Sequence, residues 1–348
     1  MRRVHQALPL ARIALLVAAT AALTTAMPAQ AQDKPEKSDL TIGVAGSAAD
    51  VDKLGYAMAL NKGFFKDEGL DVTSVDFFSG ARALQAIAGG TVEVIAGAYE
   101  GTQRMQAQGL TLKCMVTYAR YPGVALVSTK GHDFKSIADL KGKTIGITAP
   151  GSLTHTFMVA LLNQVGLTKN DVGFIAVGVG ASAVAAVRTG GQLDALVNVD
   201  PGVTSLVMGG DAKIMVDART SVGSNQAFGG PYPNGCVFAS EDFINKNPKT
   251  AQAIANAIVR SMKYLQKASM DDIVKAIPRT YYQDEAVYRA AVKVDLDMIR
   301  WDGIMTPEIG QTVRTAISLI DDKFKNATID VSKTYTNEFT LRALAKYK

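Results

Sequence analysis

Three short loops concentrate the residues able to bind a polar molecule. Phe77-Phe78-Ser79-Gly80 stands before a helix expected over Ala81 to Ala88. Ala149-Pro150-Gly151-Ser152-Leu153-Thr154-His155 leads into one expected over Thr154 to Val165, and Gly178-Val179-Gly180-Ala181-Ser182 into one over Ala183 to Arg188. Each sets glycine, which lets backbone approach closely, beside a Ser or Thr hydroxyl at a helix start. The first N–H groups of a helix lack intrahelical partners, and its dipole favours negative charge there. Such loops suit an anion or the acidic end of a small molecule. The same residues also make ordinary N-caps, so for any single loop both readings stand. None is a Walker loop, because no Gly-Lys-Ser/Thr follows at the right spacing.

Other candidates sit beside these loops. His155 lies in the first turn of its helix, where it either meets a ligand or is structural; His132, in K-G-H-D, reads as surface. Tyr99-Glu100 ends the strand V-E-V-I-A-G-A, and Asp200-Pro201 ends L-V-N-V. If Glu100 or Asp200 faces the ligand, a ligand with an amino group becomes more attractive. Otherwise Glu100 is a solvated loop charge and Asp200 an N-cap with Pro at the first helical position. Tyr118, Tyr121, Phe228 and Tyr232 either line an apolar wall or belong to the core. Catalysis finds little support. There is no G-x-S-x-G elbow, Ser152 and His155 lie three apart on one helix start, and His and Cys are too few for a metal centre. No cofactor is called for.

The elements that must position these loops follow a strand-helix alternation. From Leu40, L-T-I-G-V-A, L-D-V-T-S-V-D-F-F, V-E-V-I-A-G and T-L-K-C-M-V-T-Y read as strands, and the pattern repeats after residue 130. This alternation implies α/β architecture with mostly parallel sheets flanked by helices. From Pro248 to Tyr347 helical spacing dominates. The expected organisation is lobe 1 over 39–126 and 236–348 and lobe 2 over 127–235, with crossings near Val124 to Lys130 and Tyr232 to Ala239. Ligands of open parallel sheets bind outside the carboxyl ends of the strands, which puts the loops on a cleft between the lobes.

The N-terminus reads as an export signal. Arg2, Arg3 and Arg12 precede an uncharged apolar run from Ile13 to Leu23, too short to span a bilayer, and Ala29-Gln30-Ala31 offers a small-x-small cleavage site. Cleavage is expected after Ala31 by the general secretory route, followed by a flexible polar leader over 32–38, with the mature chain free in the periplasm. Removing residues 1–31 leaves 317 of the 348 residues, enough for two lobes. The formal net charge of +5 falls to +2 with the three arginines, which gives no reason to propose nucleic acid or an anionic membrane as partner. The two cysteines, Cys114 and Cys236, lie in apolar, strand-like runs. In an oxidising compartment they are either a disulfide or two buried thiols on neighbouring strands.

Several stretches carry a family resemblance: N-K-G-F-F-K-D-E-G-L-D-V (61–72), S-G-A-R-A-L-Q-A-I-A-G-G-T-V-E-V (79–94), S-I-A-D-L-K-G-K-T-I-G-I (136–147), P-G-S-L-T-H (150–155), G-L (166–167), A-V-R-T-G-G-Q-L-D-A-L (186–196) and D-F-I-N-K-N-P (242–248). In this order the chain resembles the nitrate/taurine/alkanesulfonate-type periplasmic solute-binding proteins. Glu93 departs from the Asp more usual in the family. The resemblance implies a two-lobed type II binding-protein fold with two crossing strands and closure around a solute. It also implies docking on an inner-membrane ABC permease with its ATPase; the chain itself is expected to be a monomer. By family position Ser79, Gly80, Tyr99, Ser152, Thr154 and Asp200 are the expected ligand neighbours. Family ligands include nitrate, sulfonates, aromatic acids and vitamin precursors. Presenting a ligand to a membrane sensor is the alternative role. Relatives of the fold include a pyrimidine-forming enzyme with a Cys-rich motif, which is absent here.

Overall fold

The computed structural model describes residue 1 and residues 34–348 except 191, 300, 301 and 321. The expected export signal and its cleavage point therefore lie, Met1 apart, outside the described residues.

Among the described residues, ten strands form two five-stranded sheets. The first runs in the order β2 (Asp71–Asp76), β1 (Asp39–Val44), β3 (Val94–Gly97), β10 (Gly235–Ser240), β4 (Leu112–Ala119). The second runs β7 (Gly173–Ala176), β6 (Thr144–Ile147), β8 (Ala195–Val199), β5 (Val124–Thr129), β9 (Ala212–Asp217). Each sheet is mixed. β10 is antiparallel to β3 and β4, and β5 is antiparallel to β8 and β9, whereas β1, β2 and β3 run parallel, as do β6, β7 and β8. The two antiparallel strands are those that enter each sheet from the other lobe. β5 begins at Val124, so its first three residues lie in the second sheet rather than in lobe 1.

Burial explains the strand sequences. β3 (V-I-A-G) and β8 (A-L-V-N-V, apolar but for Asn198) are buried at every position, as strands covered on both faces should be. The edge strand β2 alternates instead. The longest helix, Pro248–Lys267, starts on Pro248, whose missing N–H costs nothing there. It buries Ala251, Ile254, Ala255, Ile258, Val259, Met262 and Leu265 at three-to-four spacing against the first lobe.

The C-terminal third does not simply return to the first lobe. The helix Pro307–Ser318 packs on helices Glu100–Gln106, Leu153–Gln164 and Ser221–Phe228, drawn from both lobes. Thr334 and Thr336 bond to the backbone of Cys114 and so cover the free edge of β4. The leader is also tied down in its described part. Glu36 accepts from the Lys249 and Thr250 N–H groups at the start of the long helix, and Lys37 N–H donates to Thr250 Oγ1 at 3.0 Å. Composition alone pointed to flexibility there; an acid at a helix N-terminus overrides it.

Candidate functional site

The carboxyl ends of β1, β2, β3, β6, β7 and β8 converge on one cleft, which holds about 580 Å³ of empty space, open mouth included. The side of the first sheet contributes Gly46, Ser79, Gly80 and Ala98; the other side contributes Thr148, Gly151, Ser152, Thr154 and Val179. Leu84, Ile95 and Phe238 make an apolar wall.

Two of the three loops meet across this cleft. Ser79 caps the helix Gly80–Ala88, its Oγ accepting from Arg82 N–H at 3.2 Å. Ser152 is the cap position of the helix Leu153–Gln164, but its hydroxyl turns to the other lobe, where Ala81 N–H donates to it at 3.3 Å. A hydroxyl of one helix start thus serves the exposed amide of another. A Cβ on Gly80 would lie 4.0 Å from Ser152 Oγ, and one on Gly151 4.0 Å from Ala81 Cβ, ordinary contact distances at which the approach itself does not demand glycine. Gly151 has φ +79°, a left-handed conformation that suits glycine. Thr154 Oγ1 accepts from Thr148 N–H at 3.0 Å and bonds the Thr148 hydroxyl at 2.9 Å, which fixes the loop to the end of β6. The third loop sends Val179 into the cleft, while Ser182 turns back to the Val177 and Val179 carbonyls. Phe78, next to Ser79, is half exposed and has φ 55°. It is the one non-glycine residue with positive φ among those described, a conformation that concentrates at functional loops.

Several expected ligand neighbours are otherwise engaged. Glu100 borders the cleft, yet both carboxylate oxygens are taken: Oε1 by Arg104 Nε at 3.0 Å and Thr156 Oγ1 at 3.2 Å, Oε2 by the Tyr232 hydroxyl at 2.5 Å. Burial first, and then the neighbouring Glu100 charge, push the Tyr232 phenol well above its usual range, so it stays a donor. Tyr232 stacks on Phe228 and is not among the residues that line the cleft. Tyr99 points to the C-terminal segment, with its hydroxyl 2.5 Å from Thr334 Oγ1. Asp200 is fully buried, accepting from Thr204 N–H at 2.7 Å and from Arg219 Nη1 at 2.6 Å. Pro201 occupies the cap position itself, after a cis Asp200–Pro201 bond, rather than the first helical position. His155 accepts from Gly151 N–H at 3.3 Å and sets its ring edge on Phe174. Tyr118 is core, and none of the four expected aromatics lines the cleft. The common cause is that an isolated polar group inside a lobe must be satisfied by nearby protein groups.

Sequence reasoning missed the loop after β1. Asp50, Asp52 and Lys53 border the cleft, as does Asn234 from the second crossing. The signal was present: S-A-A-D-V-D-K places three charges directly after a strand and before the apolar run L-G-Y-A-M-A-L. Away from the cleft, Cys114 on β4 and Cys236 on β10 are joined as a disulfide with Cα atoms 6.1 Å apart.

Residues 51–269 match the NMT1/THI5-like family. The chain belongs to that family. A solved structure from Bordetella bronchiseptica RB50 is 42% identical, with a TM-score of 0.85 over 90% of this chain and 99% of that one. The alkanesulfonate-binding protein from Xanthomonas axonopodis pv. citri bound to MOPS is 18% identical, with a TM-score of 0.68 over 87% of this chain and 99% of its own. At that identity the match speaks for the fold, which is the two-lobed fold of periplasmic binding proteins. A curated relative, the riboflavin-binding protein of Chloroflexus aurantiacus, is 24% identical over 94% of this chain and 95% of its own. Within this NMT1/THI5-like chain the paired helix starts carry the P-G-S-L-T-H and S-G-A-R stretches.

Proposed function

We propose that this chain is the periplasmic substrate-binding component of an ABC importer, without enzymatic activity, which binds a small organic anion or zwitterion in the interlobe cleft. The ligand class is a sulfonate such as taurine or an alkanesulfonate, or an aromatic carboxylate or sulfonate. The mature monomer, released after Ala31, delivers it to the inner-membrane permease and its ATPase. One observation carries the reading: two helix starts from opposite lobes face each other in the cleft and share the Ser152 hydroxyl. An acidic group placed there accepts from N–H groups of both lobes and so favours the closed arrangement by differential affinity. The apolar wall of Leu84, Ile95 and Phe238 supports a second reading, an uncharged vitamin-like ring, in line with the riboflavin-binding relative.

A thermal-shift screen tests this against nitrate, taurine, alkanesulfonates, aromatic carboxylates and sulfonates, and riboflavin. A solute that binds only the folded state raises the melting temperature in a concentration-dependent way. Ser152→Ala is expected to weaken an acidic ligand by about 1–2 kcal/mol, read as affinity on the folded variant, and to lower the ligand-free melting temperature because Ala81 N–H loses its acceptor. A shift with riboflavin alone selects the second reading.

A further inference from the structure

The cleft has a second polar pole to which the anion reading gives no role. Asp50, Asp52, Lys53 and Asn234 border it and are 3%, 2%, 1% and 4% exposed. The Lys53 ammonium pairs with Asp52 Oδ2 and stands 3.4 Å from Asn234 Oδ1. The Asn234 amide donates to the same Asp52 oxygen at 2.6 Å and to Pro122 O at 2.8 Å. Asp52 Oδ1, also buried, has no hydrogen-bond partner. A carboxylate oxygen stripped of water and given no donor is costly, and rarely left so without cause.

Charge points the same way. Two carboxyl groups stand against one ammonium. Burial first, and then the adjacent Asp52, push the Asp50 carboxyl well above the usual carboxylate range. Asp50 Oδ2 accepts from Ser47 N–H at 2.7 Å, and Lys53, already paired with Asp52, only partly offsets the rise. A positively charged donor from outside would supply both missing elements, a partner for Asp52 Oδ1 and a counter-charge for the second acid.

We propose that this pole receives an amino group of the same solute whose acidic end sits at the Gly80 and Leu153 helix starts. The ligand is then a small amino-bearing organic acid, not a simple anion. The inference rests on the anion reading of the cleft. Lys53 and Asn234 hold Asp52 Oδ2 and leave Oδ1 for the solute, and the apolar wall accommodates the hydrocarbon between the two charged ends.

Matched pairs decide it: ethanesulfonate with taurine, propanesulfonate with 3-aminopropanesulfonate, benzoate with 4-aminobenzoate, and benzenesulfonate with 4-aminobenzenesulfonate, each titrated calorimetrically into the purified protein. The amino member of at least one pair is expected to bind, and its plain counterpart to bind about ten-fold weaker or worse. Asp52→Asn, checked for fold by circular dichroism, is expected to level that pair. If the variant does not fold, the comparison on the unmodified protein decides alone. Plain members that bind as tightly as their amino counterparts overturn the inference and leave the anion reading standing. An amino preference that survives Asp52→Asn overturns it as well. Silence from every pair overturns the anion reading and this inference with it.

Discussion

Glu100 illustrates how a charge at a strand end can be spoken for by its own neighbours. Arg104 lies one helical turn on, so the i,i+4 geometry brings its guanidinium to the carboxylate, and Thr156 and Tyr232 complete the shell. The group is buried and spans the two lobes, since Thr156 belongs to the helix Leu153–Gln164. Removing one partner of a buried ion pair leaves the other charge uncompensated, at about 3–5 kcal/mol. Glu100→Gln is therefore expected to lower the melting temperature of the ligand-free protein, read by calorimetry. A variant with unchanged stability and weakened ligand binding would instead return Glu100 to the binding site.

At the scale of elements, β10 is the hinge between architecture and stability. It arrives from the second crossing, pairs with β3 and β4, and carries Cys236 to Cys114. The bridge spans 122 residues of sequence and so encloses the whole second lobe in one covalent loop. Closing a loop of that length restricts the unfolded chain, a stabilisation of about 3–5 kcal/mol. The paired variant Cys114→Ser with Cys236→Ser is expected to unfold at a lower denaturant midpoint than the oxidised protein and to match the reduced one. A reduced protein with the midpoint of the oxidised one would mean that the unfolded chain gains nothing from the bond.

The whole molecule carries a buried acid where its lobes meet. Asp295, on the helix Glu285–Asp295, is fully buried, and neither carboxyl oxygen has a hydrogen-bond partner. Burial first, then the charge of Asp200, push it well above the usual carboxylate range; Arg219 opposes the shift, and Asp52 and Asp217 add to it. A carboxyl whose pKa is raised on folding contributes stability in full below its unfolded value of about 3.9, and that contribution is lost as pH rises through the folded value. Asp295→Asn keeps the shape and removes the titration. Its melting temperature is expected to exceed that of the unmodified protein at pH 8, with the gap closing toward pH 4. A gap independent of pH would separate Asp295 from the pH dependence of folding.

Local chemistry made much of this legible in the chain itself. Largely apolar runs such as V-I-A-G and A-L-V-N-V belong inside covered sheets, and Ser79 before Gly-Ala-Arg caps the helix it starts. The alternation of strands and helices, the crossing strands and the loops at the cleft follow from such patterns. The assignment of polar side chains to cleft or interior did not. Whether Glu100, Tyr99, Asp200 or His155 faces a ligand depends on what lies within hydrogen-bond reach, and those partners come from far along the chain: Tyr232 for Glu100, Thr334 for Tyr99, Arg219 for Asp200. Asp52 shows the converse, a charge beside its own Lys53 whose second oxygen stays unsatisfied in the folded chain. Residue type and spacing determine which groups need partners; only the tertiary structure decides which of them find one.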